Sequence, residues 1–258
     1  MSERLLVGIE FTADELRLAL AEPDGAPVGQ PGRWRLPELA DEESWAWEVG
    51  GRIATAFAEE GSGRSALAIA MAAPGTVDPV AGRLVDGGQD GWEGLSVVEA
   101  LRRHIDAPAA VDSRASAGLL GERADGAARG AENVLYLLLR DPPGAAVLAG
   151  GRALRGAHGR AGAIPAVSDL DPDERLGGEA LEEVAVPLAD AAALLDPELV
   201  VVDAPTRLRD LLIPVLKRLT ADVAPGARVV PALLGADAPL RGAITMAGTL
   251  AYESAREA

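Results

Sequence analysis

Two hydrophobic periods alternate along this chain. Residues 4–11 (RLLVGIEF) form an apolar run, and residues 15–21 (ELRLALA) alternate polar and apolar as a half-buried strand does. Pro23-Asp24-Gly25 supplies a turn, and a third strand over 33–36 completes an antiparallel meander. The spacing then becomes helical over 44–60, with Trp45, Val49, Ile53, Ala56 and Phe57 on one face. Trp45 and Trp47 could stack on a carbohydrate, but core or helix-packing roles fit a helical stripe better. Gly61-Ser62-Gly63 ends this helix. Residues 67–72 are continuously apolar, as strands buried on both faces are. A helix over 97–105, entered through Ser96, a strand over 109–112 and a helix over 115–124 follow.

The pattern then repeats. Strands are predicted over 133–139, 145–148 and 152–154, and an acidic loop over 168–179. A helix over 181–195, a strand over 199–202, a helix over 208–222, a strand over 228–230 and a closing helix over 239–256 complete the chain. No low-complexity linker separates the halves, and the crossing between them falls within 109–132. Residues 66–122 organise the first half: strand, Pro-Gly turn, hairpin, Gly-Trp loop, helix, strand and helix. Their turns aim at the place where ligands sit in α/β proteins, the carboxyl ends of the strands, here as a cleft between the halves.

Composition narrows the function classes. Of 258 residues, 48% are apolar but only 3% aromatic, so the cores must be built from Ala, Leu and Val. The net charge of −16 repels DNA phosphates and anionic membranes. With no cysteine, disulfides, thiol catalysis and thiolate metal sites are excluded together. The first residues lack signal-peptide anatomy, and no apolar run approaches the roughly 20 residues of a membrane span. A cytoplasmic location is expected.

Five segments carry a resemblance when taken in order: APGTVDPVAGRL at 73–84, GWEGLSVVEAL at 91–101, GAARGAENVLYLLL at 126–139, GGRALRGAHGRAG at 150–162 and LLDPELVVVDAP at 194–205. They resemble the ROK family of bacterial sugar kinases and sugar-responsive repressors. The resemblance implies an α/β chain of two ribonuclease H-like, actin/hexokinase-type lobes, each a mixed sheet flanked by helices. The first lobe is expected over 1–112, with the C-terminal helix near 240–258 packing back on it. The second, over 113–239, is expected to be shortened and to lack the family's zinc loop. Homodimerisation is implied by the resemblance alone.

The family's functional positions are mostly altered. A ROK kinase needs an acidic residue and a Gly-Gly-Thr-Lys turn after the first strand, whose backbone amides cradle phosphate. This chain has Glu10-Phe11-Thr12-Ala13-Asp14-Glu15, with acids at the Thr and Lys positions. The family's base, an Asp in Glu-Asn-Asp-Ala-Asn, aligns with Arg114 of Asp112-Ser113-Arg114-Ala115-Ser116. A guanidinium stays protonated and cannot accept the sugar hydroxyl proton. Asp112 points to the same side of the strand, and an Asp112–Arg114 ion pair or two solvated side chains is the plain expectation. The phosphate turn after residue 139 is Arg140-Asp141-Pro142-Pro143-Gly144, in which two prolines remove two amide donors.

Gly162-Ala163-Ile164-Pro165-Ala166 stands where the family has Gly-Glu-x-Gly-His. Gly88 replaces the sugar-contacting Asn, and Asp203-Ala204-Pro205 replaces a glycine-rich adenosine turn. His104 and His158 are unclustered, so no metal and no cofactor are expected. The expected function is therefore a non-catalytic, pseudo-sugar-kinase member, a sugar-sensing or regulatory module related to ROK regulators. A sugar kinase with a remodelled site, releasing ADP from ATP and a hexose or amino sugar, is the first alternative. A scaffold without a small-molecule ligand is the second. A carbohydrate or other small molecule is placed against Pro74, Gly75, Gly91, Trp92, Asp112, Arg114 and His158, with Asp90 as a further polar contact. The chain starts at its first strand without a helix-turn-helix, so direct DNA binding is not expected.

Overall fold

The computed structural model describes residues 4–12, 14–36, 41–86, 92–168, 170 and 178–257. By its internal contacts the chain divides into two compact units, residues 1–120 with 239–258, and residues 121–238. Each unit is a mixed sheet flanked by helices.

In the first unit, β1 (Arg4–Phe11), β2 (Glu15–Ala21) and β3 (Pro27–Arg35) form the meander. Helix α1 (Glu42–Glu59) leads to β4 (Ser65–Ala73), and β5 (Thr76–Asp78) pairs with β6 (Arg83–Asp86) in a separate hairpin. Helix α2 (Val97–His104), β7 (Ala109–Ser113) and α3 (Arg114–Asp125) follow. The sheet order is β3-β2-β1-β4-β7, with β1, β4 and β7 parallel to one another.

β1 is buried on both faces from Leu5 onward, and this explains the apolar run over 5–9. Leu5, Val7, Ile9 and Phe11 enter the core built with Trp45, Val49 and Ile53 of α1 and Leu101 of α2. Leu6 faces the other way with Ala68 and Ala70, onto Ile244 and Ala247 of α7 (Ala238–Glu257). Gly8 is required by that second contact. A Cβ there would lie 2.7 Å from Ile244 Cγ1 and 2.9 Å from its backbone nitrogen.

The second unit repeats the plan. β8 (Val134–Leu138), β9 (Gly144–Ala149) and β10 (Arg152–Leu154) form an antiparallel meander, followed by α4 (Pro165–Ser168) and α5 (Gly178–Leu195). β11 (Leu199–Asp203), α6 (Thr206–Val223) and β12 (Arg228–Pro231) complete it. The order β10-β9-β8-β11-β12 matches the first sheet strand for strand. Its core joins Leu135, Leu137, Val200 and Val202 to Leu188 of α5 and Leu212 of α6.

Four local readings need correction. β3 begins at Pro27, six residues before the predicted start, because the edge position tolerates Pro27, Gly29, Pro31 and Gly32. α1 begins at Glu42 rather than 44, since Asp41 caps it, its Oδ1 accepting the Ser44 amide at 2.7 Å. Bonds from the Ser44 hydroxyl and amide hold the Asp41 carboxyl below its usual range. Trp47 is 71% exposed and packs no core, because two residues turn a helix by about 200° away from buried Trp45. Within the stretch read as a loop, Gly178 and Glu179 already belong to α5, and Leu170 is buried. Residues 169 and 171–177 of that stretch lie outside the described residues.

Candidate functional site

The registers of the first sheet place four residues in one lateral row near the carboxyl ends of its parallel strands. Arg17 pairs with Glu10, Glu10 with Ala72, and Ala72 with Asp112. Ala72 packs against Ala117 of α3 and Ala243 of α7, so this row faces those helices. Ala72 is small enough to leave room above the sheet. Arg114, the first residue of α3, crosses that space and donates from Nε to Glu10 Oε1 at 3.0 Å. Arg17 Nη1 reaches the other oxygen, Oε2, also at 3.0 Å.

Glu10 thus sits between two guanidiniums, with its side chain 4% exposed and that of Arg114 8% exposed. Asp112 is 3% exposed, and its Oδ1 accepts the Ser113 amide at 2.8 Å. The expectation of two solvated side chains is therefore overturned, and the ion pair seen at Arg114 reaches across to β1. Burial drives this: a guanidinium removed from water requires a carboxylate, and Glu10 lies within reach. Ser113 explains how Arg114 comes to start a helix. Its hydroxyl oxygen accepts the Ser116 amide at 3.1 Å, a capping geometry that places Arg114 in the first turn.

The turn after β1 is closed on itself. The Thr12 amide donates to Glu15 O at 2.8 Å, and the Glu15 carboxylate binds Arg33 at 2.6 Å. Pro74, buried, and Gly75, exposed, follow β4 directly. Trp92 is 8% exposed, with its ring centroid 5.1 Å from that of Phe11, inside the first core. His158 lies exposed in the turn after β10 in the second unit, and each of these residues is placed within its own unit. Asp90 and Gly91 lie outside the described residues.

The second unit has its own charged end. Asp203, fully buried at the end of β11, accepts Tyr136 Oη at 2.9 Å and Arg140 Nε at 2.6 Å. Arg140 Nη2 adds a bond to Ala204 O at 3.2 Å. Arg140 opens the turn where a phosphate cradle would be, and Pro142 and Pro143 supply no amide hydrogens to it. Nearby, the buried Glu122 carboxylate accepts the amides of Ala127, Leu233, Leu234 and Gly235 at 2.6 to 3.3 Å. Among the described residues, no three His, Cys, Asp or Glu side chains are grouped to hold a metal ion, and no helix is long and apolar enough to cross a membrane.

Sequence reading missed Glu10, Arg17, Tyr136 and Glu122 as members of these clusters. The Glu10–Arg17 pair was within reach, since adjacent strands over 4–11 and 15–21 pair antiparallel and set the two residues opposite. Glu122 carried no comparable signal, because three of its four amide donors lie more than a hundred residues downstream.

Two successive α/β units with the same strand order, each an antiparallel meander continued by parallel strands, define the actin/hexokinase-like class. Residues 51–166 match the ROK family model. Solved proteins of that family, a regulator and sugar kinases among them, share this chain's fold. It is 27% identical over 169 residues to a glucokinase from Halalkalibacterium halodurans, covering 64% of this chain and 50% of that protein. The match therefore spans about half the length of that curated relative. A ROK family transcriptional regulator, a homologue of the E. coli MLC protein, superposes with a TM-score of 0.78 at 14% identity, covering 99% of this chain and 82% of the regulator. A ROK glucokinase from Streptomyces griseus, solved with glucose and AMPPNP, gives 0.74 at 18% identity, covering 95% and 99%. At these identities the structural likeness shows the fold alone.

Proposed function

We propose that this chain is a non-catalytic ROK protein, a pseudo-sugar-kinase that senses a sugar or related small molecule. The observation that carries this reading is the buried pair between Arg114 and Glu10. A sugar kinase needs an acceptor for the hydroxyl proton within hydrogen-bond reach, and a permanently protonated guanidinium offers none. The acidic residue at the end of β1 is held between Arg114 and Arg17, and the Thr12 amide is spent inside its own turn. Losing these groups removes positioning and electrostatic stabilisation, on which phosphoryl transfer depends.

The ligand class follows from the relatives, one of which was solved with glucose. Pro74, Gly75, Asp90, Gly91, Trp92, Asp112, Arg114 and His158 remain the proposed ligand positions. A thermal-shift panel of hexoses and amino sugars tests sensing, because a ligand that binds the native state raises its stability by mass action. No shift with any sugar favours the scaffold reading. A net charge of −16 makes duplex DNA an unsuitable partner, and specific nanomolar gel shifts would overturn that. A cytoplasmic location and a homodimer complete the proposal, the latter to be read by light scattering.

The kinase reading keeps one specific support beyond the glucokinase match. Asp112 is a buried carboxylate two residues before Arg114 and in the same row as Glu10. A coupled ADP-release assay across the same sugars, at high enzyme concentration, separates the two. Turnover that is lost in Asp112→Asn would establish the kinase and remove the non-catalytic reading.

A further inference from the structure

A groove of about 740 Å³ in the first unit carries a charge opposite to that of the whole chain. It lies where the start of β1, the end of α2, the connection 105–108 and Ser254 of α7 come together. Arg4, Arg102, Arg103 and His104 line it, with Asp106 as the one acid among its lining residues. The candidate sugar residues after β4 and β7 lie at the carboxyl ends of the strands, whereas Arg4 opens β1.

Basic residues in the last turn of a helix have an ordinary role beside the negative end of its dipole. Arg103 fits that role, since its Nη2 also binds Glu42 at 3.0 Å and Glu99 at 3.3 Å. These two acids raise its already high pKa, the Glu99 hydrogen bond most. The helix-end account does not reach Arg4, which arrives from a strand, nor the concavity between them. It also leaves Arg102 with a guanidinium that makes no hydrogen bond or ion pair among the described residues. His104 is braced: a Cβ on Gly50 of α1 would lie 3.2 Å from its Cβ and Cγ. The half-buried Ile105, Ala107 and Pro108 give the groove an apolar floor.

We propose that this groove binds a small phosphate monoester. Guanidinium forks bind phosphate oxygens bidentately; Arg102 supplies such a fork, and Arg4, which has an interaction of its own, brings a second positive charge from another element. The apolar floor would take the carbon body of the ester. The volume falls within the roughly 300–1,000 Å³ of small-molecule sites. The proposal does not rest on the sugar-sensing reading, whose candidate residues lie elsewhere.

Calorimetric titration at low ionic strength with glucose 6-phosphate tests it, with glucose and inorganic phosphate as separate arms. Binding of the ester is expected, and Arg102→Glu and Arg4→Glu should each weaken it by about tenfold or more. Both side chains are exposed, and tryptophan fluorescence checks that the variants fold. Unchanged affinity in both variants, or no binding of the ester, overturns the proposal. Inorganic phosphate binding as tightly as the ester also overturns it, because the groove then holds an adventitious ion only. Glucose binding that survives both variants leaves the sugar-sensing reading standing whichever way the ester result falls.

Discussion

Replacing Arg114 by Met keeps the aliphatic stem and removes the charge, leaving Arg17 on a carboxylate that is 4% exposed. Breaking one side of a buried ion pair costs about 3–5 kcal/mol. Arg17 remains and its side chain is 20% exposed, so hydration offsets part of the loss, and about 2–4 kcal/mol is expected. Glu10→Gln should cost a similar amount, because it leaves two guanidiniums facing a neutral amide. The double variant removes the same interaction once, so the cycle should show a coupling of about 1.5–3 kcal/mol.

Urea titration followed by tryptophan fluorescence suits this cycle. All four tryptophans (Trp34, Trp45, Trp47 and Trp92) lie within residues 1–120 and report on that unit. A loss of about 3 kcal/mol lowers the midpoint by about 1–2 M urea at an ordinary slope. A coupling below about 0.5 kcal/mol would refute the reasoning, since Glu10 and Arg114 would then act independently in solution.

Glu122→Gln should destabilise the second unit by about 2–4 kcal/mol, because four backbone amides lose a buried carboxylate acceptor; amide exchange at Leu234 and Gly235 reads it directly. Gly8→Ala should cost about 1–3 kcal/mol through contact with Ile244, and Ile244→Ala in the same chain should recover part of it, measured by thermal unfolding. Among the described residues the buried Trp45 Nε1 has no hydrogen-bond partner, so Trp45→Phe should change stability by less than about 1.5 kcal/mol; a loss above about 3 kcal/mol would mean that the indole is partnered in solution. The amides of Asn133 and then Glu132 hold the Glu198 carboxyl below its usual pKa. Its folded value is depressed, so its contribution is complete above the unfolded pKa of about 4.3 and is lost as pH falls through the folded one. Glu198→Gln should therefore make acid unfolding below that pH less steep, and an unchanged slope would contradict the assignment.

Much of this fold is visible in one dimension because burial on both faces leaves a local mark. Residues 5–9, 67–72 and 199–202 are continuously apolar for that reason, and the helices between them keep their 3-4 spacing. The departures that the family resemblance implies are equally local: Arg114 at the expected base position, Pro142 and Pro143 where amide donors are expected, and acids after Thr12. Edge and cap positions were less legible. Pro27 and Pro31 resemble a turn until the sheet makes them an edge, and Trp47 resembles Trp45 until the helix turns it outward.

What tertiary structure alone decided is which distant groups meet the buried Arg114 and Glu122. Arg114 and Glu10 are separated by 104 residues, and Glu122 and Leu234 by 112. Sequence shows that Arg114 cannot take a proton. It cannot show that the guanidinium is turned inward onto Glu10, because that depends on the parallel register of β1, β4 and β7 and on the small Ala72 between them. Side-chain type limits chemistry at each position by itself. Pairing depends on which positions the sheet brings side by side, and that is a property of the assembled fold.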